Sequence, residues 1–226
     1  MPYRRTEKVV RRLAERHAAI IAGAQALAGE AGMAGVQIAP VARRAGIAAG
    51  TVYRYFPSKT ELVAALVAAV SEQEISRMRR AADAAPGPLS ALAAALATFA
   101  ARALRDRHLA WAVLAEPVDA GVDKVRIVYR KALAAEIEQR LAAAMARGQL
   151  PSQDTAIAAA ALVGALLEGL VGPLAPPVDG DPARLRDAVQ AMTLFALRSV
   201  GIVDAHARGL VVQTVLPRRD EGAVAG

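Results

Sequence analysis

The chain has 226 residues, enough for one large domain or for a small and a larger one with a true apolar core. It has no cysteine, which excludes disulfides and thiolate metal sites, and alanine and leucine dominate over a 4% aromatic content, so an all-α fold is expected. The net charge of +7 lies entirely in residues 1–60, where ten Lys/Arg face three acids, against 18 of each sign in residues 61–226.

From Val10 to Ala28, apolar residues recur at Leu13, His17 or Ala18, Ile20, Ile21, Ala24 and Leu27, the spacing of an amphipathic helix that stops near Gly29 or Gly32. No uninterrupted apolar core follows the basic N-terminus, so no secretory leader is expected and a cytoplasmic location is. A short helix is predicted over Ile38–Arg44, with Gln37 at its N-cap and Pro40 in its first turn, where a missing N–H costs little. Gly46 marks a turn that favours a residue without Cβ. Ala48–Tyr55 follows as a second helix, too short to stand alone, carrying Thr51, Tyr53, Arg54 and Tyr55 as donors for phosphates or base edges. Pro57 ends it, and Ser58 with Glu61 three residues on makes a capping box for a long helix through Leu62, Leu66, Val70 and Ile75 toward Arg80. Two short helices around a glycine turn, inside the basic quarter of the chain, have the layout of a helix-turn-helix.

"DAAPGPLS" at 83–90 is the clearest boundary. Beyond it helices are predicted near Leu89–Asp106, Leu109–Ala115, Ala120–Arg147, Gln153–Val171 and Pro182–Gly201, about nine in all, with a C-terminal tail after His206. Glu168 is the single charge between Thr155 and Val178, but the glycines and prolines of that stretch argue against a membrane span. Burial on two sides explains it better: its own domain on one face and a second copy on the other, with Ala158, Ala161, Gly164, Ala165 and Gly169 small enough for close approach.

The order of residues 20–62 resembles the DNA-binding domain of the tetracycline-repressor family of bacterial regulators. The resemblance runs through Ile20, Ala24, Leu27 and Gly32, then Val41-Ala42, Ala45-Gly46-Ile47-Ala48, Gly50-Thr51, Tyr53, Phe56, Ser58, Lys59, Glu61 and Leu62. It implies an all-α protein with a helix-turn-helix domain at 13–73 (motif 37–56), a helical ligand-binding and dimerisation domain at 84–205, and a tail at 206–226. The implied function is a ligand-responsive transcriptional regulator, a repressor released from its operator by a small, largely apolar molecule. The implied partners are double-stranded operator DNA, a second copy joined through the two C-terminal helices, and an effector of unknown identity. Thr51 and Tyr53 match the family's phosphate anchors, Lys59 brings its ammonium to the positive end of the next helix, and Gly50 permits close backbone approach. Gln37, Arg44, Ala48, Ala49, Arg54 and Tyr55 complete the candidate DNA-binding set. Two departures stand out: Ala48 replaces the usual Ser/Thr cap, which costs about 0.5–2 kcal/mol, and Ala49 offers only a methyl where a polar residue is common. Base reading then falls to Arg54, Tyr55 and Arg43 or Arg44. Tyr53 also has a plain reading as a half-buried aromatic, and the arm Arg4 to Arg12 as a solvated tail.

For the effector, a mostly apolar cavity is expected with Trp111 and Leu114 on one wall, Tyr129 and Met145 on others, and Arg126 or Glu168 giving polar direction; simple core packing is the alternative. No cofactor or metal is expected. With three histidines and no His-Glu-x-x-His, Gly-x-Ser-x-Gly or phosphate-cradling loop, an enzyme is not expected. His108 with Glu116 is the one weak metal pair. A helical small-molecule enzyme and a non-specific nucleic-acid packager remain as alternatives, the latter opposed by a large, electrically balanced C-terminal part.

Overall fold

A computed structural model describes residues 3–178 and 180–215, with side chains from residue 7 onward. Among the described residues the chain is all-helical, with ten helices: α1 Tyr3–Gly35, α2 Ile38–Arg44, α3 Ala49–Tyr55, α4 Lys59–Asp83, α5 Pro88–Arg105, α6 Arg107–Leu114, α7 Ala120–Ala146, α8 Thr155–Leu170, α9 Pro182–Ser199 and α10 Asp204–Gln213. The chain divides into two compact units, residues 1–71 with 108–127, and residues 72–107 with 128–226. The small unit therefore recruits α6 and the start of α7 from beyond the Pro-Gly boundary.

The first unit is built around α1, α2 and α3. Ile20, Ile21, Ala24 and Ala28 of α1 are buried against Val41, Ala42, Val52 and Phe56, with Leu62, Val63, Leu66 and Val67 of α4 and Leu109, Ala112, Val113 and Val122 closing the core. α1 is not one regular helix. It breaks at Ala31 and Gly32, the latter at φ +67°, which is why the periodicity fades there. The turn between α2 and α3 follows a Schellman pattern: Gly46 N–H donates to the Arg43 carbonyl at 3.2 Å and Ile47 N–H to the Ala42 carbonyl at 3.0 Å. Gly46 sits at φ +66°. A left-handed residue at that point ends α2 and re-aims the chain into α3 within three residues.

In the second unit α5 is the central element, buried along most of its length, with α8, α9 and α10 packed around it. Asp154 caps α8, its carboxylate accepting the N–H groups of Ala156 and Ile157 at 2.9 and 3.0 Å. Asp181 does the same for α9 through Ala183, ahead of a proline at the first helical position. Glu136, 1% exposed, is held by Arg79 and Arg140, both at 2.7 Å, so its buried charge is paired as burial requires. The tenth helix lies where a tail was expected: Ala207, Leu210 and Val211 give it a buried face.

Candidate nucleic-acid interface and ligand domain

The helix-turn-helix presents one uncovered face. Gln37, Arg43, Arg44, Ala48, Gly50, Tyr53 and Arg54 are exposed, and Ala49, Thr51 and Lys59 are half-buried beside them. Tyr53, 53% exposed, sits on the same helix as the fully buried Val52. Space around Gly50 is open: a Cβ added there would meet nothing within 4 Å. Neither short helix has a side-chain cap. Gln37 turns its amide to the Ala34 carbonyl at 2.9 Å instead, and Ala48 has no side chain to offer α3. The Ala49 and Gly50 N–H groups thus have no side-chain acceptor from the cap position, while the Thr51 N–H donates to the Ala48 carbonyl at 2.9 Å.

Around this face the cations differ in availability. Arg44 is engaged by Glu30 at 2.6 Å, and this carboxylate's hydrogen bond and charge raise its pKa above the ordinary guanidinium range. Arg43, Arg54 and Lys59 have no carboxylate partner among the described residues. Lys59 opens α4, whose first turn is closed by Ser58: its Oγ accepts the Glu61 N–H at 3.1 Å and donates to the Glu61 carboxylate at 3.3 Å. Tyr55 stands apart from the other candidates. Its ring is packed on the core beside His17, with centroids 6.3 Å apart, and its hydroxyl is buried with no hydrogen-bond partner among the described residues. An aromatic two residues past Tyr53 on a helix points to a different side, so Tyr55 supports α3 from behind.

The corner between α6 and α7 belongs to the same unit and is tied to it by two carboxylates. Glu116 accepts the Met33 N–H at 2.8 Å. Asp119 accepts the Thr60 hydroxyl at 2.9 Å and the N–H groups of Gly121 and Val122 at 2.8 and 3.1 Å. These bonds, Val122's first and Thr60's next, hold its carboxyl below the usual range. Glu116 is therefore committed to the end of α1, while His108 is exposed. Nothing in sequence spacing links Glu116 to Met33, 83 positions away.

The six residues expected around an effector divide between the two units. Trp111, Leu114 and Arg126 lie in the first unit, and Tyr129, Met145 and Glu168 in the second. Trp111 is half-buried and Leu114 buried. Arg126, 4% exposed, donates to the Ala112 and Val113 carbonyls at 2.6 and 3.0 Å and to Asp123 at 3.1 Å. Its guanidinium thus completes the C-terminal end of α6. Tyr129 is buried, which pushes its phenol pKa well up. Met145 is half-buried near the end of α7. Glu168 is exposed and accepts the Leu174 N–H at 3.0 Å, closing the turn after α8, so it is no buried carboxylate in search of a partner. Of the cavities in the second unit, one lies between α5, α8 and α9 and another between α4, α5 and α10, and none of these six residues lines either.

A helix-turn-helix with an open cationic face, joined to a larger α-helical unit, defines a two-domain helix-turn-helix protein. Residues 20–66 match the model for bacterial regulatory proteins of the tetR family. The chain is 44% identical over 63 residues to the HTH-type transcriptional repressor KstR of Rhodococcus jostii, covering 28% of this chain and 30% of that one. The chain thus spans under a third of that relative's length. Among solved structures, the fatty acid degradation regulator FadR of Bacillus halodurans superimposes with a TM-score of 0.70 at 19% identity, covering 83% of this chain and 97% of that one. RolR in complex with resorcinol gives 0.63 at 21% identity, covering 92% and 98%. These likenesses extend over both units and establish the fold. No helix among the described residues is long and apolar enough to cross a membrane.

Proposed function

We propose that the chain is a ligand-responsive DNA-binding transcriptional repressor acting as a two-fold dimer. The observation that carries this reading is the open face of α3 and its surroundings, where Gly50, Tyr53 and Arg54 stand exposed. Thr51 and the uncompensated Arg43 and Lys59 adjoin that face. Tyr53, Thr51 and Lys59 grip phosphates and fix register, while Arg54 reaches base edges in the major groove. Two-fold readers of this kind need their recognition helices about 34 Å apart, and that spacing is the quantity an effector changes.

Dimerisation through α8 and α9 is supported by what those helices leave uncovered. Ile157 on α8 is 69% exposed and Phe195 on α9 is 54% exposed, and Ala161 and Gly164 are exposed as well. Apolar and small residues on two adjacent helices suit a self-complementary helix-packing face. α4 runs unbroken from Lys59 to Asp83, so a displacement of its distal half is carried along one rod to Lys59. The relatives named as repressors support repression over activation.

Gel-shift titration of the DNA upstream of the chain's own gene, against random duplex over a range of salt, tests the reading. The expected result is tighter binding to the upstream fragment, by the factor of ~10³ or more usual for specific sites. Equal affinity for both duplexes would instead mark a non-specific packager.

A further inference from the structure

The cavity between the distal half of α4, one face of α5 and the end of α10 has a volume of about 620 Å³, within the range of sites that enclose a drug-sized molecule. Its lining is divided by chemistry. Ala81, Ala94 and Leu210 form an apolar wall, to which Val215 adds an exposed side chain, while Arg77, Arg80 and Arg102 bring three guanidinium groups and Thr98 and Ser90 two hydroxyls.

Charge does not cancel there. Glu74 binds Arg77 at 2.7 Å and Arg102 at 2.5 Å, so one anion answers two cations. Both arginines are mostly buried, with side chains 18% and 23% exposed, and Glu74 fixes their orientation. Arg80 hydrogen-bonds only the Ser76 hydroxyl, at 2.7 Å, among the described residues. The acid three positions on, Asp83, is held by Arg140 at 3.0 Å. The lining thus carries an excess of two positive charges beside an apolar wall. Partly buried cations lacking a full set of acceptors are costly, and an anion entering the cavity relieves that cost.

We propose that this cavity binds an amphipathic carboxylate, its head among Arg80, Arg77 and Arg102 and its apolar body against Ala94, Leu210 and Val215. Planar guanidinium groups suit a carboxylate because two parallel N–H donors match its two oxygens. The proposal rests on the reading of the chain as a ligand-responsive regulator and supplies the chemical class of its effector. Two of the three arginines belong to α4, the helix that begins with Lys59, so occupancy acts on the element that carries a phosphate-gripping group.

Calorimetric titration of the full chain with decanoate and with naphthoate, each against the matching alcohol, tests the site. The acids are expected to bind at least about tenfold more tightly than the alcohols, and Arg80→Gln to remove about tenfold of acid affinity while leaving the alcohols unchanged. Arg80 is exposed and bonds only a hydroxyl, so this variant keeps the fold. Ala94→Phe, which fills the half-buried wall, is expected to abolish binding of both classes. Equal affinity for acid and alcohol, an unaffected Arg80→Gln, or acid binding retained in a folded Ala94→Phe would each overturn the proposal. The same preparations are assayed on the upstream DNA fragment. DNA binding without acid binding removes the site and leaves the regulator, whereas acid binding without DNA binding does the reverse.

Discussion

Lys59→Ala is the sharpest perturbation of the proposed DNA interface, because Lys59 makes no hydrogen bond or ion pair among the described side chains that the fold would miss. Each copy offers three cations around α3 without a carboxylate partner among the described residues, Arg43, Arg54 and Lys59; Arg54 in the groove displaces condensed counterions as the other two do, so the dimer counts six. A slope of about −0.9 per neutralised phosphate then gives about −5.4 for log affinity against log salt, or a roughly 2,000-fold loss between about 50 and 200 mM. Removing Lys59 takes two contacts from the dimer, so the slope falls to about −3.6 and the loss over the same range to roughly 150-fold. Glu30→Gln works in the opposite sense. It releases Arg44 from its 2.6 Å pair, adds two contacts per dimer and steepens the slope to about −7.2. Fluorescence anisotropy of a labelled upstream fragment at four or more salt concentrations measures all three. Any contact from the N-terminal basic residues shifts the three slopes together and leaves their differences intact. A Lys59→Ala slope equal to that of the parent chain refutes the placement of this lysine on phosphate, and a Glu30→Gln slope that stays put refutes the competition for Arg44.

Three other outcomes follow from the packing. Arg126→Met keeps the apolar stem but strands the carbonyls of Ala112 and Val113; at about 1–3 kcal/mol for each, less the relief of removing a buried charge, a net loss of about 2–4 kcal/mol is expected in urea denaturation. A loss below about 0.5 kcal/mol would show that water satisfies those carbonyls. Because the Asp119 pKa is lowered in the folded chain, its contribution to stability is fully present above the ordinary carboxylate pKa of about 4 and lost as pH falls through the lower folded value. Asp119→Asn is therefore expected to lower the melting temperature at neutral pH, with the gap to the parent closing in acid; a gap independent of pH assigns the effect to shape alone. Phe195→Glu puts a charge on the exposed face of α9 and is expected to shift sedimentation from dimer to monomer with helix content unchanged, and a persistent dimer would move the interface elsewhere.

How far these features were legible in the sequence depends on the distance over which their causes act. The α2–α3 turn was readable because its determinants are local: Gly46 ends one helix and the next is bounded by Ala48 and Pro57, all within about a dozen residues. The capping box at Ser58 was legible for the same reason. Tyr53 and Tyr55 looked alike as donors, and only the burial of Val52 and Phe56 orients α3 so that Tyr53 faces out and Tyr55 packs in. Arg126 and Glu168 show the limit most plainly. In sequence each is a charge among apolar neighbours, and such a charge reads as a candidate polar contact for a ligand. In the structure Arg126 satisfies carbonyls left over at the end of α6, and Glu168 accepts a loop N–H in the turn after α8. The cationic cavity was hidden by the converse. Arg77 and Arg80 on α4 and Arg102 on α5 look like ordinary solvated helix charges until the end of α10 is seen to line one cavity with them, and α10 reads as tail in the sequence because its buried face is only Ala207, Leu210 and Val211. A ligand site assembled from three helices leaves no periodic trace in any one of them, so its arginines acquire meaning only through the residues that close the cavity around them.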